Sequence, residues 1–379
     1  MKKILIIGGA GFIGSHLALT LVSKGYTVRV LDNLSKQIHG DKSENSTLYQ
    51  SIKDRVDFIY GDVRDKNIWT KALDNIDIIV HLAAETGTGQ SMYEIHRYTD
   101  VNITGTAGLL DYITNQKHHI KKIIVASSRA IYGEGKYYCK NHGVVYPLAR
   151  KSKDMDAGDF EAKCPDCNTP VFVLPTDETS KIHPTSVYGI TKQIQEELII
   201  TCCRSLGIPA LAFRYQNVYG PGQSLKNPYT GILSIFSTQL INNQPLNIFE
   251  DGIESRDFVY IDDVVNATIA GIEDEFIDYL SINVGAGVST NVLTVAKRLK
   301  DLYNSNSEIY VSGNYRLGDI RHNHADITLL KEKLKYKPVI HFEDGITKFA
   351  KWVRTQDINN STLSYEKSLN EMKAKGLYK

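Results

Sequence analysis

Tyr188 and Lys192 stand four residues apart in the segment YGITK, residues 188–192. On a helix that spacing puts both side chains on one face. A free phenol loses its proton at a pH of about 10, and an ammonium beside it favours the phenolate. Such a tyrosine can act as a general base near neutral pH. The spacing is common by chance, so its meaning depends on what accompanies it. Ser127 and Ser128 close the run Lys122-Ile-Ile-Val-Ala. A serine hydroxyl at a strand end can share a hydrogen bond with Tyr188 and with a substrate oxygen. The plainer role for a serine there is a turn or a cap.

Gly8, Gly11 and Gly14 form GGAGFIG, residues 8–14, directly after the apolar run Lys3–Ile7. Glycines at this spacing allow a tight turn and let the backbone approach a pyrophosphate. A helix starting near Phe12 and Ile13 would point its free N–H groups at the phosphates. Asp32 ends a second apolar run, 18 residues beyond Gly14. That is close to the spacing expected for a carboxylate on an adenosine ribose. An acid there repels a 2′-phosphate, so NAD is expected rather than NADP. Asp62, in Gly61-Asp62-Val63, can meet the adenine amino group or simply form a turn. In His81-Leu82-Ala83-Ala84, small residues can lie against the cofactor or merely pack. With a dinucleotide half in front of it, Tyr188 gains a second cation, the nicotinamide ring, to favour its phenolate.

Five cysteines, an odd number and unevenly spread, argue against a disulfide framework. Cys139-Lys-Asn-His142 and Cys164-Pro-Asp-Cys167 form a C-x₂-H and a C-x₂-C pair. Four such ligands have the layout of a tetrahedral structural Zn²⁺ site. The intervening loop of about 20 residues is compatible with zinc spacings. The alternative is a set of free thiols with a chance histidine. Four protein ligands leave no open position, which disfavours a catalytic zinc. Cys202 and Cys203 fall in a helical pattern and are expected as small buried apolar residues.

The elements that must position these groups follow a βα rhythm. Apolar runs at Lys3–Ile7, Thr27–Asp32, 56–60, 76–82 and 122–127 alternate with helical patterns at 14–24 and 98–114. This predicts an α/β fold, a Rossmann-type doubly wound parallel sheet. Residues 1–136 are expected to be its NAD-binding part. Residues 137–175 break the rhythm and form the Cys/His-containing insertion. Residues 176–218 return to the sheet, with a helix at 186–205 and a strand at 210–214. Residues 219–355, richer in Asn, Pro and Gly, are expected mainly as a smaller α+β substrate lobe. Residues 356–379 form a polar tail, loosely docked as a helix or partly disordered.

The 379 residues are 42% hydrophobic and 23% charged, with a net charge of +1. No global field favours nucleic acid or a membrane surface. No run reaches the roughly 18 apolar residues of a membrane span. Ile4 to Ile7 is too short for the core of a signal peptide and is expected as a buried strand. A cytoplasmic protein is expected.

In order along the chain, GGAGFIG, Asp32, HLAA, ASSRAIYG, YGITK, RYQNVYGPGQ and RDFVYIDDV cover nearly its whole length. The sequence thereby resembles the extended short-chain dehydrogenase/reductase family, specifically its nucleotide-sugar epimerases and dehydratases. The resemblance implies Ser128, Tyr188 and Lys192 as the catalytic group, with Lys192 also on the nicotinamide ribose. It implies a cofactor site that includes Asn33, Val63 and Asn102 besides the residues above. It implies a substrate site with Asn217, Arg256 and Arg316 on a sugar diphosphate. Thr86 and Arg129 would also contact substrate. Phe249 would stack on the base or serve the core, and Arg256 and Arg316 could otherwise be surface ion pairs. The partner is then a nucleotide-diphosphate sugar, and two copies should pair through helices around 95–115 and 186–205.

The family's dehydratases carry Asp-Glu directly after the catalytic Ser or Thr, where this chain has Arg129-Ala130. Dehydration is therefore disfavoured. Epimerisation at C4 needs only proton abstraction, hydride transfer, rotation of the keto-sugar and hydride return. Segments 85–92, 128–130 and 219–231 resemble the dTDP-L-rhamnose 4-epimerase subgroup, which forms dTDP-6-deoxy-L-talose. UDP-sugar 4-epimerases and CDP-sugar 2-epimerases share most of these motifs. A nucleotide-sugar 4-reductase would release its cofactor, and a non-catalytic NAD-binding scaffold would usually lack the Tyr–Lys pair. The segment between Ser128 and Tyr188 is much longer than the family pattern, because it contains the insertion.

Overall fold

The computed structural model describes residues 2–227, 229, 231–358 and 361–379, without the side chains at 361–364. Seven parallel strands form its centre: β1 (Lys3–Ile7), β2 (Thr27–Asp32), β3 (Asp57–Tyr60), β4 (Ile78–His81), β5 (Lys122–Ser128), β6 (Ala210–Tyr215) and β7 (Leu280–Val284). Their spatial order is β7-β6-β5-β4-β1-β2-β3. Every residue of β5 and β6 is buried, as strands covered on both faces require. One hydrophobic cluster lies on each face of the sheet, and the larger continues into the lobe. This is the expected Rossmann-type α/β architecture. The chain order reverses between β1 and β4, and ligands bind at such a switch point, beyond the carboxyl ends of the strands.

Two helices carry the chemistry. The first, α1 (Phe12–Ser23), begins at Gly11 directly after β1. The helix expected over 98–114 is continuous but not uniform: Ile95–Thr99, a wider π-helical turn Asp100–Thr104, then α2 (Gly105–Asn115). The helix that bears Tyr188 and Lys192 is α3 (Val187–Leu206). Its start is fixed by the Ser186 hydroxyl, which accepts from the Gly189 amide at 3.1 Å. Gly207, at φ +68°, ends it in a left-handed turn.

The segment 219–355 supplies β7 as well as a lobe of short strands and helices. Among these, Ser255–Tyr260 pairs with Asn217–Tyr219 and Ser289–Asn291. The insertion is a small antiparallel sheet of Tyr137–Cys139, Gly143–Val145 and Phe172–Val173 around its own core. The tail is better anchored than its polar composition implies. Its helix, Ser361–Ala374, buries Met372. The last residues pair with the lobe, Tyr315 N donating to Lys379 O at 2.8 Å and Lys379 N to Tyr315 O at 3.1 Å.

Glu196 on α3 and Arg214 on β6 form a buried ion pair at 2.6 Å. Arg214 also donates to the Tyr132 hydroxyl at 2.7 Å and to Glu178 O at 2.9 Å. Ser281 on β7 donates to Glu196 at 2.7 Å. Burial pushes the Glu196 carboxyl up, but Arg214 holds it below its usual range. Removing one partner of such a pair leaves an uncompensated buried charge. Glu196→Gln should therefore cost about 3–5 kcal/mol of unfolding free energy. Urea unfolding measures this, and a loss under about 1 kcal/mol would show that the pair does not hold α3 in place.

Candidate active site

A cleft of about 590 Å³ runs from the glycine loop, across the ends of β4, β5 and β6, into the lobe. At its first end the loop is packed too closely for a side chain at Gly8 or Gly14. A Cβ at Gly14 would sit 2.5 Å from Gly8 O, and one at Gly8, where φ is +78°, 2.6 Å from Ala83 N. Asp32 accepts from Ala10 N at 2.9 Å and from Leu34 N at 2.8 Å, which ties the loop to the end of β2. A glycine cradle at a helix start, followed by a strand-end carboxylate, fits the pyrophosphate and adenosine ribose of NAD. Gly11, Phe12, Ile13, Asn33, Val63, Leu82, Ala83 and Ala84 line the same end.

At mid-cleft, β5 delivers Ser128 and α3 delivers Tyr188 and Lys192. Ser128 Oγ accepts from Ala130 N at 3.1 Å, which turns the chain out of the strand. The same hydroxyl favours the Tyr188 phenolate. Burial pushes the Tyr188 phenol up, while Ser128 and the Arg129 charge pull it down. Burial lowers Lys192 to about 7, against the pull of Glu196. Its ammonium donates to Gln195 Oε1, and Gln195 in turn donates to Thr106 at 2.8 Å. Arg129 thus supplies a cation beside the Tyr188 phenol.

Arg129 Nε donates to Asn217 Oδ1 at 2.9 Å. Burial and the neighbouring Arg256 lower its guanidinium to about 10. Arg256 is fixed by the carbonyls of Ser255, Ile320 and Arg321 at 2.7–2.9 Å. Two close guanidinium groups in a cleft favour a ligand with phosphate oxygens between them. Deeper in the lobe, Arg316 lies over the Phe249 ring at 4.9 Å. Thr86, Asn217, Phe249, Arg256 and Arg316 all line the cleft, as expected of a substrate site.

Two expected cofactor residues do not line it. Asp62 is engaged by Arg64 at 2.8 Å and by Asn33 Nδ2 at 2.9 Å. Asn102, in the π-helical turn, holds Glu85 and Thr191: it accepts from Glu85 N at 2.7 Å and donates to Thr191 Oγ1 at 2.9 Å. It braces α3 against the loop that follows β4.

Other participants had no local sequence signal. Glu254 lines the cleft; burial raises its carboxyl to about 7, and its Oε2 is buried without a protein partner. Tyr365, from the tail, also lines the cleft. Arg150, from beside the insertion's sheet, makes a bidentate pair with Glu250 at 2.8 Å and donates to Asp319 O at 2.9 Å. These are long-range contacts that no short motif encodes.

The sheet order, the glycine cradle and the Ser–Tyr–Lys group define a dinucleotide-dependent enzyme of the extended short-chain dehydrogenase/reductase type. Residues 5–148 match the family model for GDP-mannose 4,6 dehydratase, and residues 164–285 that for the NAD dependent epimerase/dehydratase family. A dTDP-L-rhamnose 4-epimerase of Burkholderia thailandensis is 36% identical over 93% of this chain and 95% of that protein. The UDP-glucose 4-epimerase of Thermotoga maritima, solved with UDP-glucose, superposes with a TM-score of 0.74 at 30% identity, covering 93% of this chain and 98% of the other. The UDP-glucuronic acid 4-epimerase of Bacillus cereus, solved with UDP-glucuronic acid and NAD, gives 0.76 at 26%, covering 93% and 99%. The chain belongs to the NAD-dependent epimerase/dehydratase family.

The electrostatics give a signed prediction. Arg129 lowers the Tyr188 pKa, and the base must be deprotonated to act. Arg129→Met should therefore shift the acid limb of the kcat/KM profile to higher pH, and Arg129→Lys should shift it less. An unmoved limb in Arg129→Met would show that Arg129 does not tune the base.

Proposed function

We propose that the protein is an NAD-dependent nucleotide-sugar 4-epimerase that interconverts dTDP-L-rhamnose and dTDP-6-deoxy-L-talose through a 4-keto intermediate. The observation that carries this reading is the composition of the mid-cleft: Ser128 and Tyr188 face each other with Arg129 beside them, where dehydratases carry an Asp-Glu pair. Glu85, the carboxylate on the loop after β4, is held by Arg97 at 2.8 Å. Bound NAD supplies a hydride acceptor that can return the hydride. Tyr188 takes the proton of the 4-hydroxyl while Ser128 hydrogen-bonds the same oxygen. Lys192 and Tyr188 hold the nicotinamide ribose, and Asp32 holds the adenosine ribose. Arg256 and Arg316 grip the diphosphate, about which the keto-sugar turns to present its other face. The identity with the Burkholderia enzyme supports the dTDP-linked deoxysugar over a UDP-sugar.

Product analysis by NMR tests this, with dTDP-L-rhamnose and UDP-galactose given in parallel and no cofactor added. Conversion of dTDP-L-rhamnose to dTDP-6-deoxy-L-talose is expected. Turnover of UDP-galactose alone would move the substrate to the UDP-sugars. A stoichiometric need for added cofactor would favour a 4-reductase.

Cys139, His142, Cys164 and Cys167 are proposed to hold a structural Zn²⁺. Their ligand atoms all lie within 4.8 Å of one another. Cys139 Sγ is 3.6 Å from both His142 Nδ1 and Cys167 Sγ, and Cys164 Sγ is 3.4 Å from His142 Nδ1. A tetrahedron with Zn–S bonds of about 2.3 Å has edges of about that length. Thiolate ligands require reduced cysteines, in keeping with a cytoplasmic location. Metal mass spectrometry should find about one zinc per chain, and Cys164→Ser/Cys167→Ser should lose it. A zinc-free native protein would overturn the assignment. A homodimer through the helices near 95–115 and 186–205 completes the reading, supported by Ile95 and Ile190, which are 52% and 44% exposed. Light scattering should give twice the chain mass, and a monomer would overturn it.

A further inference from the structure

The tail helix Ser361–Ala374 straps together the two sides of the cleft. Near its C-terminal end Glu371 accepts from the Tyr229 hydroxyl at 3.1 Å and from the Tyr93 hydroxyl at 3.4 Å. Tyr93 follows the loop beyond β4, and Tyr229 itself lines the cleft. Beyond the helix, Leu317 N donates to Leu377 O at 3.0 Å, alongside the Tyr315–Lys379 pair. Arg316 therefore lies between two residues whose backbones the tail holds. Its guanidinium lies over Phe249, and Phe249 packs on Tyr378 with ring centroids 5.2 Å apart. Asn314 Nδ2 fixes the Tyr378 hydroxyl at 2.7 Å. Within the cleft wall, Arg316 Nη2 approaches the Tyr365 hydroxyl at 3.4 Å. Arg316 Nε is buried and has no hydrogen-bond partner among the described residues.

We infer that the tail is part of the substrate site: it pre-sets Arg316, and Tyr365 adds a phenolic donor beside it for the diphosphate of a nucleotide sugar. The inference rests on the nucleotide-sugar reading proposed above. Two observations point to an anionic ligand rather than to simple packing. A buried guanidinium N–H without a partner calls for an acceptor. The Tyr365 hydroxyl, where it accepts from Arg316, still has its own proton to donate. A diphosphate oxygen satisfies both, and charge-assisted bonds of this kind are among the stronger ones. Holding Arg316 in place beforehand lowers the ordering cost of binding.

The test is calorimetric titration of the NAD-loaded protein with dTDP and with UDP, for wild type, Tyr365→Phe and a truncation after residue 358. Tyr365→Phe keeps the ring and removes only the hydroxyl. It should weaken diphosphate binding about tenfold or more. Retained NAD should match wild type. The truncation should weaken binding further, because it also releases Arg316. Wild-type affinity in Tyr365→Phe overturns the inference, whether or not the truncated chain folds. Wild-type affinity in a folded truncation overturns it as well. If the wild type binds neither nucleotide, the nucleotide-sugar reading itself falls, which distinguishes that failure from the loss of the tail's role alone.

Discussion

Glu196 and Arg214 carry opposite charges into a region that water does not reach, and the placement of the catalytic groups depends on them. Tyr188, Lys192 and Glu196 recur every four residues along α3, so they share a face. Arg214 lies on β6, the strand that leads into Asn217. The pair therefore sets the rotation of the helix and its position along the sheet. Ser127 lies beside Glu196 and Ser128 beside Tyr188, so the end of β5 is held by both halves of this arrangement. A buried ion pair contributes little net stability against an apolar substitute, but misalignment leaves a charge unpaired. Its physical effect here is to penalise any other register of α3.

The same low-polarity interior explains the electrostatics of the cleft. Burial lowers both Lys192 and Arg129, so each is held in a place that disfavours its charge. Arg256 adds a third cation, fixed by backbone carbonyls. The chain as a whole is almost neutral, so this positive field is local. Any anion entering between Arg129 and Arg256 would relieve the repulsion between them. Tyr188 responds to the same field, because any cation near its ring brings the phenolate closer to neutral pH. Binding of the anionic end and activation of the base thus draw on one set of charges.

The parts legible in the sequence were those encoded locally. The glycine cradle, Asp32 and the Tyr–Lys pair are each fixed by spacing within one βα unit or one helical turn. The parallel sheet was legible because strands buried on both faces read as unbroken apolar runs. The Cys/His cluster was legible because each ligand pair sits within a four-residue turn. Asn102 and Asp62 are expected in the cofactor site, and in the structure their side chains engage Thr191, Glu85, Arg64 and Asn33. Sequence position does not reveal which way a polar side chain turns once backbone amides and charges compete for it. Arg150, Glu254 and Tyr365 were missed for the opposite reason. Arg150 and Tyr365 meet partners far off in sequence, and Glu254 joins the cleft only after the lobe folds over the sheet.

The two regions outside the βα rhythm, the insertion and the tail, meet at one place. From beside the insertion's sheet, Arg150 reaches Asp319 O, and Glu161 pairs with Arg321 at 2.6 Å. From the tail, Leu377 and Lys379 pair with Leu317 and Tyr315. The loop between Asn314 and Arg321 is thereby gripped from both sides, and it carries Arg316 and the carbonyls that fix Arg256. The glycine loop is held differently, by close backbone packing and by Asp32, which accepts from Ala10 N at 2.9 Å. The loop between Asn314 and Arg321 is also held by its own apolar residues: Tyr315 and Ile320 are buried, and Tyr315 and Leu317 pack with Met155 and Phe160 of the insertion. The insertion and the tail thus order this loop at the lobe end of the cleft. The dinucleotide end instead takes its shape from backbone contacts too close to admit a Cβ at Gly8 or Gly14.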